Sequence, residues 1–176
     1  RIPSGSESYR LGERLLLAVK PQTFAQVAAD LAAGGVLKDA CVLSIMAGVT
    51  TTTLRSALPG VRSVIRLMPN LPASVAQGIS AIPFAPAAAP PAEDLEFVDR
   101  LFSAIGAIVH LPENLVDAYT ALAGSGPAYV FYLAEALLHG ARTLGFSPAQ
   151  ADVIVRQTLL GSAVLLAGSD HAPAEL

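Results

Sequence analysis

The sequence predicts an α/β chain: a doubly wound parallel sheet across residues 1–112, then an all-helical part across residues 113–176. Three observations lead there. Short continuous apolar runs alternate with segments of helical periodicity in the first part, the pattern of strands buried on both faces and joined by helical crossovers. The connections are short, which restricts the topology to right-handed parallel crossovers. After Pro112 the strand pattern stops, and only helical periodicity remains.

Each element has its own local cause. Leu15-Leu16-Leu17-Ala18-Val19 reads as the first strand. Lys20-Pro21 ends it, and Pro21 suits the first helical position because its missing N–H would be unpaired there anyway. Phe24, Val27 and Leu31 recur at helical spacing, with Gly34-Gly35 as the stop. Val42 to Met46 is a second strand, ended by Ala47-Gly48. Thr50 then serves as N-cap for a short helix through Leu54 and Leu58, closed by Pro59-Gly60. Ser63 to Met68 is a third strand, ending at Pro69-Asn70. Gln77 to Phe84 reads as a strand, and Ala85 to Pro91 as a low-complexity loop. Leu95, Val98, Leu101, Phe102 and Ile105 share one helical face with Gly106 as the stop, and Ala107 to Leu111 forms one more strand. In the helical part, residues 113–123 form a helix broken by Gly124-Ser125-Gly126-Pro127. Ala128 to Leu144 is a second helix, and a third begins at Ser147-Pro148-Ala149-Gln150, a capping box with proline at N1, and runs to about Ala167.

Composition narrows the function classes. The chain has 176 residues, 53% of them hydrophobic and 14% charged, with mean hydropathy +0.54. This is more apolar than an ordinary soluble domain, so a partner subunit is expected to cover part of the surface. Net charge is −3 with no basic stripe, against a nucleic-acid partner. The run Ala128 to Leu138 is interrupted by Glu135 and followed by His139, Gly140 and Arg142. A membrane span needs roughly 20 mostly apolar residues, so none is expected. Arg1-Ile2-Pro3-Ser4-Gly5-Ser6 lacks the apolar run of a secretion signal. The single cysteine, Cys41, lies inside an apolar run and reads as a buried structural thiol in a reducing cytoplasm. His110, His139 and His171 are scattered, so no metal site is expected.

The strand ends carry the candidate chemistry. Lys20-Pro21, Ala47-Gly48 and Pro69-Asn70 fall at carboxyl ends of successive strands, where open parallel sheets bind ligands. Pro21 opens a helix whose N–H groups favour negative charge, Lys20 adds a positive charge, and Gly48 lets a ligand approach the backbone. Each turn alone is ordinary; three in succession could hold one ligand.

Four blocks make a family resemblance specific: Ala18-Val19-Lys20-Pro21-Gln22, Ser44-Ile45-Met46-Ala47-Gly48-Val49, Arg66-Leu67-Met68-Pro69-Asn70-Leu71-Pro72, and Ala121-Leu122-Ala123-Gly124-Ser125-Gly126-Pro127-Ala128-Tyr129. They resemble successive segments of pyrroline-5-carboxylate reductases, in that family's order and at about its spacing. The resemblance implies a Rossmann-like dinucleotide domain followed by a helical dimerisation domain. It implies reduction of a cyclic imino acid, 1-pyrroline-5-carboxylate, to L-proline with NADPH or NADH, the last step of proline biosynthesis, by a cytoplasmic homodimer or higher homo-oligomer. It places Val19, Lys20, Pro21, Ala47, Gly48, Pro69 and Asn70 beside the dinucleotide. Thr120, Ser125, Gly124 and Gly126 fall beside the imine, with Thr120 and Ser125 as hydrogen-bond donors and a helix N-terminus after Gly126-Pro127 facing its carboxylate. Ser125 lacks the G-x-S-x-G context of a covalent nucleophile. Glu135, His139 and Arg142 form one polar stripe on an otherwise apolar helix.

The departures from the family pattern are also legible. A Gly-rich phosphate loop and a later Ser/Pro/Gly/Thr-rich substrate turn are missing, so both ends read as cut, and the isolated piece is expected to turn over weakly or not at all. Residues 1–10 match nothing in the family. Two other readings remain: a non-catalytic homologue acting in oligomerisation, and another two-domain NAD(P)-dependent reductase. The β-hydroxyacid dehydrogenases rely on a lysine in the helical domain, whereas this chain has no lysine after Lys38.

Overall fold

The computed structural model describes residues 13–35, 37–83 and 89–176. The reading of residues 1–10 and most of the Ala85 to Pro91 loop lie outside them. Two compact units are formed, Arg1–Ser125 and Gly126–Leu176.

Among its described residues the first unit holds two three-stranded sheets. Strands β1 (Arg14–Leu17), β2 (Cys41–Ser44) and β3 (Ser63–Arg66) are parallel and lie in that order. Helix α1 (Phe24–Ala33) joins the first pair, after a 3-10 turn at Pro21–Thr23, and α2 (Thr51–Ala57) joins the second. Alternation along the strands explains the double winding. Val42 and Val64 point into a core with Phe24, Leu31, Leu54 and Leu58 from the two helices. Cys41, Leu43 and Ile65 point into another core with Ile82, Val98 and Phe102. Side chains alternate across a strand, so apolar residues at consecutive positions need helices on both faces. The expectation of full burial fails at β1: Leu16 is 45% exposed, because among the described residues β1 pairs only with β2.

The second sheet corrects the simple picture of a third parallel strand end. The chain leaves β3, bonds Leu67 N–H to Ser44 O at 2.8 Å, and forms a separate short strand β4 (Met68–Pro69) antiparallel to β5 (Gly78–Pro83). Pro69 sits on an edge strand, where the missing N–H is tolerated. Helix α3 (Ala92–Ser103) then leads to β6 (Gly106–Leu111), parallel to β5. Gly106 begins that strand at φ 143, and a side chain there would collide with the Gly78 carbonyl. Leu101, expected on the buried face of α3, is 43% exposed.

A buried ion cluster closes the amino ends of the strands. Asp94 accepts hydrogen bonds from Arg62 Nη2 at 2.7 Å and Nε at 3.2 Å, and from Ser63 Oγ at 2.7 Å. Arg14 lies 3.6 Å away and stacks over Phe97 at 4.4 Å. Burial raises the Asp94 carboxyl, but the bonds from Arg62 and Ser63 and the two guanidinium charges outweigh it and hold it below the ordinary carboxylate range. Cys41 beneath this cluster is fully buried, and burial pushes its thiol up, as suits a structural residue.

The expected helix over 113–123 is a composite: a 3-10 turn (Glu113–Leu115), α4 (Val116–Tyr119) and a π turn (Thr120–Gly124). In the second unit, α5 (Gly126–Thr143) packs on α6 (Pro148–Ala167) through Ala141, Ala151 and Val155. The capping box forms as the sequence requires: Ser147 Oγ accepts from Gln150 N–H at 3.3 Å, and Gln150 Oε1 accepts from Ser147 N–H at 3.0 Å. Tyr129, Phe131, Tyr132, Ile154, Val164 and Leu165 are all exposed, as are Glu135, His139 and Arg142. By length and composition alone, the helical stretch Glu113–Thr143 is long and apolar enough to cross a bilayer, with mean hydropathy 1.2. The interruption at Glu135 therefore does not exclude a span by that measure. Its amino end, however, is held to the sheet by side-chain bonds described next.

Candidate dinucleotide and substrate site

The parallel register brings the strand ends level. Leu17, Ser44 and Arg66 are paired across β1, β2 and β3, so the segments that follow emerge on one rim. Val19, Lys20 and Pro21 are exposed there. Thr23 closes the first turn by bonding Lys20 O through both its N–H and its hydroxyl, at 3.0 and 2.8 Å. Ala47 and Gly48 are also exposed. Gly48 has φ 72 with open space where a side chain would stand, a backbone that glycine adopts without strain and that a flat ligand can approach.

Asn70 works differently from the turn residue the sequence suggests. Its side-chain amide donates to Ala123 O at 3.0 Å and its carbonyl accepts from Ile79 N–H at 2.9 Å. The residue therefore ties β5 to the π turn, and Pro69-Asn70 meets Thr120 to Gly124 directly. Tyr119 reinforces the joint by donating to Ile79 O at 2.7 Å, and burial holds its phenol above the ordinary range.

Thr120 is half-buried and donates its hydroxyl proton to Val116 O at 2.7 Å. In this arrangement the hydroxyl proton points to the Val116 carbonyl, and the oxygen faces other groups with its lone pairs. The helix break expected at Gly124-Ser125 is a π turn closed by Ser125 N–H to Thr120 O at 2.8 Å. π turns are frequent at functional sites. Gly124 packs tightly: a methyl there would meet Thr120 Cγ2 at 3.2 Å and Met68 Cε at 3.7 Å. Ser125 is exposed, and Gly126 opens α5 in the second unit.

Sequence reasoning missed one group at this rim. Glu113 accepts from Arg66 Nη1 at 2.7 Å, Thr51 Oγ1 at 3.0 Å and Thr51 N–H at 3.4 Å. Its signal was faint, an acid in a first helical turn after proline, and its partners lie far away in sequence. The shallow concavity lined by Leu31, Gly35, Leu37, Lys38, Pro59 and Gly60 lies at the opposite ends of the strands and holds none of the candidate residues.

Comparison with known proteins gives a consistent set of likenesses. A family model for pyrroline-5-carboxylate reductase dimerisation matches residues 113–176. A pyrroline-5-carboxylate reductase of Synechocystis is 40% identical over 174 residues, 99% of this chain and 63% of the relative. Among solved structures, a pyrroline-5-carboxylate reductase from Coxiella burnetii superposes with TM-score 0.82 at 28% identity, covering 94% of this chain and 61% of that one. The Plasmodium falciparum pyrroline carboxylate reductase with NADP bound gives TM-score 0.78 at 27% identity, covering 89% and 61%. The fold is thus Rossmann-like with a helical domain of the dimerisation type. The chain spans about three fifths of the length of these relatives.

Proposed function

We propose that the chain is part of a pyrroline-5-carboxylate reductase, and that the protein carrying it reduces 1-pyrroline-5-carboxylate to L-proline with NADPH or NADH. The observation that carries the proposal is the joint at Asn70, which follows β3 and β4 in the chain and whose side chain ties β5 to the π turn bearing Thr120. The rim suits a dinucleotide in its chemistry: an exposed lysine, a helix start at Pro21, and an unobstructed left-handed glycine at 48. Val19, Lys20, Pro21, Ala47 and Gly48 would hold it, with Pro69 and Asn70 toward its reacting end. When bound, the reduced nicotinamide supplies the hydride.

The residues of the chain position the imine and match its charge. The protonated C=N accepts hydride at carbon, the π electron pair moves to nitrogen, and the product is a secondary amine. Thr120 Oγ accepts a hydrogen bond from the iminium N–H, because its own proton is held by Val116. Ser125 donates to the substrate, and Gly124 and Gly126 keep backbone close to it. We further propose that residues 113–176 form the dimer-forming part, with the exposed faces of α5 and α6 covered by a second copy, and that the protein works in the cytoplasm.

The test is direct. The full-length protein, given the imine and NADPH, should consume reduced nicotinamide and form proline, and calorimetry should register NADPH binding. Binding without turnover would remove the reductase reading. Absence of both would favour a role in assembly alone.

A further inference from the structure

We infer that Glu113 is a positioning residue that sets the dinucleotide rim in register with Thr120; this rests on the reductase reading above. Its carboxylate joins three elements. Arg66, at the carboxyl end of β3, has a side chain only 5% exposed and ion-pairs with Glu113 at 2.7 Å. Thr51 opens α2 just after the Ala47-Gly48 turn, and gives the same carboxylate both its N–H and its hydroxyl. Glu113 itself begins the 3-10 turn that runs into Val116, whose carbonyl fixes the Thr120 hydroxyl. A displacement of Glu113 therefore moves the Gly48 turn on one side and the Val116–Thr120 bond on the other.

The chemistry of the group supports positioning over simple stabilisation. A partly buried ion pair contributes little net stability, since desolvation offsets much of the attraction. The chain already has a buried carboxylate cluster for cohesion, Asp94 with Arg62 and Ser63, at the opposite ends of the strands. Glu113, by contrast, sits where both halves of the candidate site begin. Bidentate acceptance from the N–H and hydroxyl of Thr51, with Arg66 held at one oxygen, fixes the carboxylate in orientation as well as place. Small errors of placement are costly in catalysis, because reacting groups must be held within fractions of an ångström.

The experiment uses the full-length protein with Glu113→Gln, Thr51→Val, the double variant, and Asp94→Asn as a control for stability. Glu113→Gln should lower kcat about tenfold and raise the KM for NADPH severalfold. Thr51→Val leaves the Arg66 pair intact, so the protein folds, and it should shift the same two parameters in the same direction by less. The double variant should be no worse than Glu113→Gln, because both changes break one link. Asp94→Asn should lower Tm and leave kcat and both KM values in place. If Glu113→Gln and Thr51→Val change only Tm, as Asp94→Asn does, or if their kinetic effects simply multiply, the inference is overturned while the reductase reading stands. A wild-type protein that binds NADPH but does not reduce the imine overturns the reading, and the inference with it.

Discussion

At the scale of single residues, Thr120 separates two chemical roles that look alike in sequence. If its oxygen accepts from the iminium, Thr120→Val should lower kcat about tenfold or more, the loss of a hydrogen bond to a charged group, with little change in KM for the cofactor. Thr120→Ser should keep most of the rate. Steady-state kinetics on the full-length protein decides it, and equal activity of the valine variant would exclude Thr120. Gly124 offers a second test. An added methyl approaches Thr120 Cγ2 at 3.2 Å, so Gly124→Ala should depress kcat several-fold by displacing that side chain. Its Tm should hold or rise, because alanine favours helix over glycine by about 1 kcal/mol. A fall in Tm matching the fall in activity would mean that the crowding unfolds the turn instead.

At the scale of elements, local chemistry was legible and long-range pairing was not. Thr50, Ser147 with Gln150, and Gly34-Gly35 carried their caps and stops openly, and the structure places the caps at those residues. Replacing Ser147 by alanine should cost about 1 kcal/mol by denaturant unfolding, the usual worth of such a cap. What spacing could not reveal is that Met68–Pro69 turns back as an antiparallel strand, or that Gly124-Ser125 continues as a π turn. Both depend on partners elsewhere in the chain, Ala81 with Ser80 for the first and Asn70 for the second. Burial of Leu16 was overestimated for the same reason: an apolar run reports the residue, and not whether a neighbouring strand covers it. The Asp94 cluster gives a further prediction here. Its carboxyl is lowered in the folded state, so its stabilisation is complete above the ordinary carboxylate range, about pH 4, and is lost as pH falls through the folded value. Asp94→Asn should cost about 2 kcal/mol at neutral pH and flatten the acid limb of a stability profile; an unchanged limb would show that other carboxylates control it.

At the scale of the whole molecule, the apolar exposure of α5 and α6 sets the expected assembly. Tyr132 is 76% exposed and Val164 64%, far from the arrangement of a helix pair that ends in water. Placing glutamates at both should shift the full-length protein toward monomer in sedimentation, since unpaired charge in a closed interface costs several kcal/mol; an undisturbed oligomer would move the contact elsewhere on the surface. The side chain of Asn70 carries a different consequence. One amide reads two backbones, donating to Ala123 and accepting from Ile79. Hydrolytic ageing of that amide to a carboxylate would replace its donor with an oxygen facing a carbonyl oxygen. Protein kept long in warm storage would then lose the tie between β5 and the π turn while its chain length and most of its sheet stayed as they were.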